Sequence, residues 1–256
     1  MRRFVSIPVL SLSLVLAGCA EHDAPGSAPD PVAEGATQET AASIVQRHIA
    51  AAGGSERLLA AKTMKFTAKN EKAGAEVDSF TVHRARPNMF HKEMTKAGVT
   101  MIKAFDGKVG WTQEAAGKAA ALPEEKCAKM SAHADFDDAL VDYEKKGHKI
   151  ELQGTEDVRG ARAHKLRVTL ASGDVETRFL DAKSLLEVKR VGEGSKEGKT
   201  ETWTTYFTDY KPVNGIQVNH GIETEYAGET TRYIVTEVSY DQPVDAAMFR
   251  MSQPGT

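Results

Sequence analysis

Disulfides, long apolar runs and an excess of one charge sign are all missing from this 256-residue chain. Its only cysteines are Cys19 and Cys127, too few for the disulfide framework that staples small secreted domains, so a fold must rest on a buried core. The longest mostly apolar stretch, Phe4 to Val15, is too short to cross a bilayer as a stable helix. Formal net charge is −3 with both signs interspersed, which leaves no basic stripe and excludes nucleic acid as a partner. Gly-x-Ser-x-Gly, phosphate-loop and dinucleotide glycine signatures are absent as well. No residue is therefore assigned a catalytic role, and no cofactor is implied.

What is present begins with Arg2-Arg3, the apolar run, and then Leu16-Ala17-Gly18-Cys19. A basic start, a brief apolar core and small residues at the cut site mark a secretory signal that is removed. The order Leu-Ala-Gly-Cys resembles a bacterial lipoprotein signal, with cleavage before Cys19 and acyl chains on its sulfur and new amino group. Several chains anchor a protein far more firmly than one. The alternative is an ordinary signal with a chance cysteine. Ala20 follows where an aspartate would favour the inner membrane, so a tether to the outer membrane, facing the periplasm of a bacterial envelope, is expected. Glu21 to Gly35 is rich in Pro, Ala, Gly, Ser and Asp and reads as a flexible tether. The expected organisation is a signal at residues 1–18, a lipidated tether at 19–36 and one domain at 37–256. With Cys19 acylated, Cys127 is a lone thiol.

Thr37 precedes a helical stripe of Ile44, Val45, His48, Ile49 and Ala52 that Gly53-Gly54 stops, and Ser55 starts a second short helix. From Thr63 the apolar period changes from 3.6 to 2. Alternating runs follow to Phe105, with a tight turn predicted at Asp106-Gly107. Leu122 to Lys146 breaks the rhythm with Pro123, Glu124 and Glu125, predicting one or two helices. Strands return from Lys149 to Tyr240, punctuated by turns such as Asn214-Gly215. The pattern predicts a mainly β fold with helices: a large antiparallel curved sheet of about eleven strands, an unclosed half-barrel covered by a helical lid.

Such a sheet has more concave surface than its own side chains fill, which points to a cavity for something apolar, unless the helices fill it entirely. Cavity candidates by alternation are Phe66, Phe80, Phe90, Trp111, Leu166, Val168, Phe179, Trp203 and Phe207. Tyr206 and Tyr226 could join Trp111, Trp203 and Phe207 at its mouth, or pack the core. His83 and His91 with Glu93 could hold a metal, but surface strand histidines are commoner, and no metal site is assigned. Asp135, Asp137 and Asp138 near His133 read as a solvated helix start rather than a cation loop.

Arg86-Pro87-Asn88-Met89-Phe90, then Phe105-Asp106-Gly107-Lys108 with Trp111, then Val244-Asp245-Ala246-Ala247-Met248-Phe249 and Pro254-Gly255 together resemble the LolA and LolB superfamily of lipoprotein carriers. Asp181-Ala182-Lys183, Thr208-Asp209-Tyr210 and Val213-Asn214-Gly215 resemble its outer-membrane lipoprotein-sorting variant. The resemblance implies a concave apolar face that accepts acyl chains or the lipid moiety of lipoproteins. It also implies that Arg86 holds the lid by hydrogen bonds to backbone carbonyls, a role for which a guanidinium fork is suited. The alternative for Arg86 is a strand-edge arginine set by Pro87. The soluble carriers have no anchor, whereas Cys19 makes this chain resemble the anchored acceptor, although the Ala-rich Thr112 to Ala121 does not match that acceptor's apolar loop. Acyl-chain binding for lipoprotein sorting or lipid transport is thus expected, with other envelope proteins as possible partners. A sensory or structural envelope lipoprotein is the first alternative and a metal-dependent hydrolase the second.

Overall fold

Short apolar alternation cannot stand alone as a strand, because each strand buries only one face and leaves a row of backbone groups to be paired. In the computed structural model, which describes residues 39–71, 78–115, 117–196 and 199–251, that pairing is met by one antiparallel sheet of thirteen strands. Cys19 and its tether lie outside the described residues. The chain enters through α1 (Ala41–Ala52) and α2 (Ser55–Ala60). It then runs through β1 (Thr63–Asn70), β2 (Ser79–Ala85), β3 (Met89–Lys96), β4 (Val99–Phe105), β5 (Gly110–Glu114) and the short β6 (Ala120–Ala121). Helix α3 (Glu124–Ala134) and a run of turns lead to β7 (Lys149–Val158), β8 (Ala161–Thr169) and β9 (Val175–Asp181). The last four strands are β10 (Glu187–Lys196), β11 (Lys199–Val213), β12 (Ile216–Tyr226) and β13 (Glu229–Tyr240).

The order across the sheet is β6-β5-β4-β3-β2-β1-β13-β12-β11-β10-β9-β8-β7. Two meanders are therefore joined at a seam where β1 pairs with β13, and the outer edges, β6 and β7, do not meet. This is the expected unclosed half-barrel with two strands more than the pattern predicts. The additions are β5 and β6, whose five and two residues hold too few apolar positions to alternate; their pairing to β4 and to each other makes them strands. Asp106 accepts from the backbone N–H groups of Lys108 (2.9 Å) and Val109 (2.8 Å) and so shapes the predicted turn. Asn214 and Gly215 both take positive φ, the signature of the tight turn joining β11 to β12.

Three cores form where the helices meet the inner face. Ile44 and Val45 of α1 are buried with Leu140, Leu166, Val168 and Leu180. Leu58 and Ala61 beside α2 pack with Met64, Phe136, Ile216 and Tyr240. Met130 and Ala134 of α3 pack on Phe90 and Phe105. The predicted stretch from Leu122 to Lys146 contains a single helix, and the segment after it seats Phe136, Leu140 and Val141 inward. The first helix is capped by Thr40, whose hydroxyl accepts from Ser43 N–H at 3.2 Å. No helix among the described residues is long and apolar enough to cross a membrane.

Helix α1 ends where it touches the sheet. Gly53 has φ 137°, and a Cβ there would stand 2.8 Å from the Gly215 carbonyl oxygen, inside van der Waals contact with the β11–β12 turn. Gly53→Ala is expected to lower stability by more than about 1 kcal/mol, because both conformation and space oppose a side chain. Chemical denaturation checks this, with an exposed Gly→Ala change at Gly228 as the control for strain without a clash, since nothing lies within 4 Å there.

Candidate functional site

Helices α1 and α2, the segment 136–141 and strands β1 and β10 to β13 enclose a cavity of about 240 Å³. Ile49, Leu58, Met64, Phe136, Phe207 and Ile216 supply most of its apolar wall. Burial pushes the Tyr240 hydroxyl, also on this wall, up to about 12. The wall's far side is polar: Asp137, Asp138, Glu187, Arg190 and Tyr210 reach the same space. His48 fixes α1 over it by donating from Nδ1 to the Leu185 carbonyl at 2.7 Å.

Arg86, one residue past β2, holds the helices over this cavity. Its Nε donates to the Ala61 carbonyl at 2.6 Å and one Nη to the Leu58 carbonyl at 3.1 Å, both at the C-terminal end of α2. The two Nη atoms also grip Asp137 at 2.8 and 2.6 Å, a bidentate pair that the planar guanidinium favours. The Asp137 hydrogen bond is the main cause of a raised Arg86 pKa, with burial opposing. The guanidinium also stacks on Phe136, 4.6 Å from its ring centre. Two residues earlier, Arg84 donates to the carbonyls of His133 (2.8 Å) and Asp135 (2.7 Å) at the end of α3. Two positions on one face, Arg84 near the end of β2 and Arg86 just past it, thus take hold of two helices at their carbonyl-rich ends, where cations are favoured.

The acidic run after α3 is not a solvated helix start. It follows the helix, and each carboxylate has a cation: Asp135 with Lys146 at 2.6 Å, Asp137 with Arg86, and Asp138 with Arg178 at 2.7 and 2.8 Å. Arg178 of β9 is 3 % exposed and also binds Glu176 at 3.0 Å. Arg190 of β10 binds Glu187 at 2.6 and 2.8 Å and lies 3.5 Å from Asp138. Burial alone would raise the Asp138 carboxyl, but Arg178 and Arg190 outweigh it and hold it well below the usual carboxylate range. Burial and the neighbouring Glu187 push the Tyr210 hydroxyl far up, and that hydroxyl donates to the Glu187 carbonyl at 2.7 Å.

The residues expected at a cavity are divided by the structure. Phe207 lines the cavity, and Phe66 packs beside it with Phe136 and Ile216. Phe80 stacks on Phe66 at 6.1 Å further along the same face, and Phe90 lies under α3. Leu166 and Val168 are fully buried beneath α1 as core. Trp203 lies across Gly192 and donates to the Glu193 carbonyl at 3.1 Å. Phe179 and Trp111 stand on the other face of the sheet. Phe179 opposes Lys165 and Lys189, whereas its neighbour Arg178 opposes Leu166; it packs with Val158, Ala163 and Tyr206 outside. Trp111 opposes Ala104, which in turn opposes His91, one residue off the Phe90–Phe105 pair that α3 covers. Its indole N–H donates to the Phe249 carbonyl at 2.8 Å, so the C-terminal turn Ala246–Phe249 closes over it.

His83 and His91 face each other at 6.4 Å on that outer face, and Glu93 is exposed. Among the described residues no group of three or more His, Cys, Asp or Glu is placed to hold a metal ion. Arg84, Asp137, Asp138, Arg178, Glu187 and Arg190 carry no local motif. The clustered aspartates were their one visible sign.

The site is thus an unclosed half-barrel with helices held over its inner face by Arg84 at the end of β2 and Arg86 just past it. No family model matches the chain, and no curated protein matches its sequence. Solved structures do share the fold. A DUF1329 family protein from Desulfovibrio piger aligns with TM-score 0.55 and 13 % identity over 82 % of this chain and 97 % of its own. A LolA superfamily protein from Nitrosomonas europaea gives 0.54 and 12 % over 83 % and 98 %. An outer membrane lipoprotein-sorting protein domain from Vibrio parahaemolyticus gives 0.53 and 11 % over 82 % and 95 %. The chain therefore shares a LolA-like fold with these proteins.

Proposed function

We propose that this protein is a lipid-anchored envelope carrier that buries acyl chains, or the lipid moiety of lipoproteins, beneath its helical lid during outer-membrane lipoprotein sorting or lipid transport. The observation that carries the reading is the apolar cavity closed by the Arg86 grip on the end of α2. At about 240 Å³ it falls short of the roughly 300–1,000 Å³ of ordinary ligand pockets, so a chain must displace the helices to enter. Arg86 suits that demand because its bonds to α2 are to carbonyls at one helix end and part together. Burial of apolar area, at about 25 cal/mol per Å², supplies the affinity. Cys19 supplies the anchor, the tether reaches out from the membrane, and the reading assigns no catalytic residue and no cofactor. The LolA-like fold and the lipoprotein-sorting domain from Vibrio parahaemolyticus support it.

Native mass spectrometry of the domain beginning at Ala36, followed by titration with a fluorescent fatty acid, tests this. Co-purified lipid or saturable micromolar binding is expected. A protein that carries no lipid and leaves the probe unbound has no such cavity function.

A further inference from the structure

Beyond α3 the inner face of the sheet continues uncovered by any core cluster, and its chemistry changes. Phe90 opposes Phe105, Lys92 opposes Lys103, and Met94 opposes Met101, three successive pairs on one face of β3 and β4. On β2 the same face carries Val82 opposite Lys92 and Phe80 opposite Met94. Two lysines directly opposite each other repel, an arrangement sheets ordinarily avoid. Here neither has a carboxylate partner among the described residues: Glu114, opposite Met101 at the next position, makes no ion pair with them. Lys92 is half-buried, and its one described contact is the Phe80 ring, 4.5 Å from the ammonium. Burial lowers the Lys92 pKa and Lys103 lowers it further, as expected of a cation pair short of an anion.

A second cavity, of about 810 Å³, lies between α3 and the far half of the sheet, with Lys129, His133, Leu170, Glu176 and Trp203 on its walls. Neither Lys92 nor Lys103 lines that cavity, so the lysine pair and the apolar residues beside it form a separate surface of the inner face.

We propose that Lys92 and Lys103 form an anion subsite that holds the phosphate or carboxylate of an acyl lipid, whose chain lies along Phe80, Phe66 and Met94. The assignment rests on the acyl-binding reading above and narrows it to anionic amphiphiles. An anion between the ammonium groups replaces their repulsion with two charge-assisted hydrogen bonds, and the apolar rings beside them take the chain.

The test is displacement of a fluorescent fatty acid from the domain by oleoyl lysophosphatidic acid and by neutral monooleoylglycerol, which share one chain and differ in the headgroup. The phosphate lipid is expected to bind about tenfold tighter, the effect of a modest gain in charged contacts. The ratio should fall to about one in Lys92→Gln/Lys103→Gln, persist in Lys92→Arg/Lys103→Arg, and shrink as sodium chloride rises in the unaltered protein, as a partly exposed charge site requires. Equal binding of the two lipids, or a preference that survives the glutamine changes, overturns the subsite and leaves the carrier reading standing. Failure of both lipids to displace the probe overturns both. Displacement of the phosphate lipid by an equal concentration of inorganic phosphate assigns the lysines to a free anion and overturns the lipid assignment.

Discussion

Arg178→Met should destabilise the domain by about 3–5 kcal/mol, the loss met when one member of a buried charge network is removed. That is a large share of the 5–15 kcal/mol that ordinary domains possess, so the variant is expected to unfold well below the normal urea midpoint. Arg178 is 3 % exposed, and its removal leaves Asp138, Glu176 and Glu187 around Arg190 alone. The sign of the pH effect separates this from simple loss of packing. Asp138 is held low by Arg178 and Arg190, so its contribution is present above the pKa of an unfolded aspartate, about 4, and is lost as pH falls. In the variant the three carboxylates repel, and acid relieves the repulsion. The gap between the two proteins should therefore narrow from pH 7.5 to pH 4.5. A gap of constant size would show that the charge on Arg178 matters less than its volume. Asp138 itself is 37 % exposed, so the same argument predicts a milder loss for Asp138→Asn, tempered by solvent screening.

Arg86→Leu should do more to the motion of the helices than to the sheet. It removes both bonds to α2 and strands Asp137, which is 11 % exposed. A loss of about 2–4 kcal/mol is expected, at the lower side of buried pairs because the guanidinium is itself 27 % exposed. Amide hydrogen exchange should rise at least about tenfold in α2 and in residues 135–138 while β11 and β12 keep their protection. Adding Asp137→Asn removes the stranded charge, and the cycle of single and double variants should show a coupling of about 1–3 kcal/mol. If Arg86 is the latch proposed here, fatty-acid uptake by Arg86→Leu is faster than by the unaltered protein. Faster exchange with unchanged uptake would reduce it to a structural clasp.

Local patterns carried much of the fold. The Gly53-Gly54 stop, the turn at Asp106-Gly107 and the alternation from Thr63 onward each depend on neighbours within a few residues, and each stands where the pattern places it. Which face of a strand turns inward depends on register with distant strands. Leu166 and Phe179 are both apolar members of alternating runs, yet Leu166 meets Arg178, so Phe179 is outside. Trp111 is displaced by the same one-residue logic. The ion network was the least legible part. Asp138 and Asp137 stand together in sequence, but Arg178 is 40 residues and Arg86 51 residues away, and no spacing rule joins them. The buried Arg178 on β9 reads in sequence as the polar side of an amphipathic strand. Arg86 could be singled out only through resemblance, because an arginine before a proline carries no local signal of its own.

The strand order also sets a folding problem. Each meander pairs strands that are near neighbours in sequence, so both can form early and locally. The β1–β13 seam joins residues such as Met64 and Tyr240, the most costly loop to close in the domain and one that rewards nothing until nearly the whole chain is in place. Until it closes, each half-sheet displays an apolar inner face and two open strand edges, the conditions under which chains associate wrongly. The helix and turns between β6 and β7 run from one outer edge to the other across that face. A segment that later serves as cover is thus positioned to shield the two halves while they find each other.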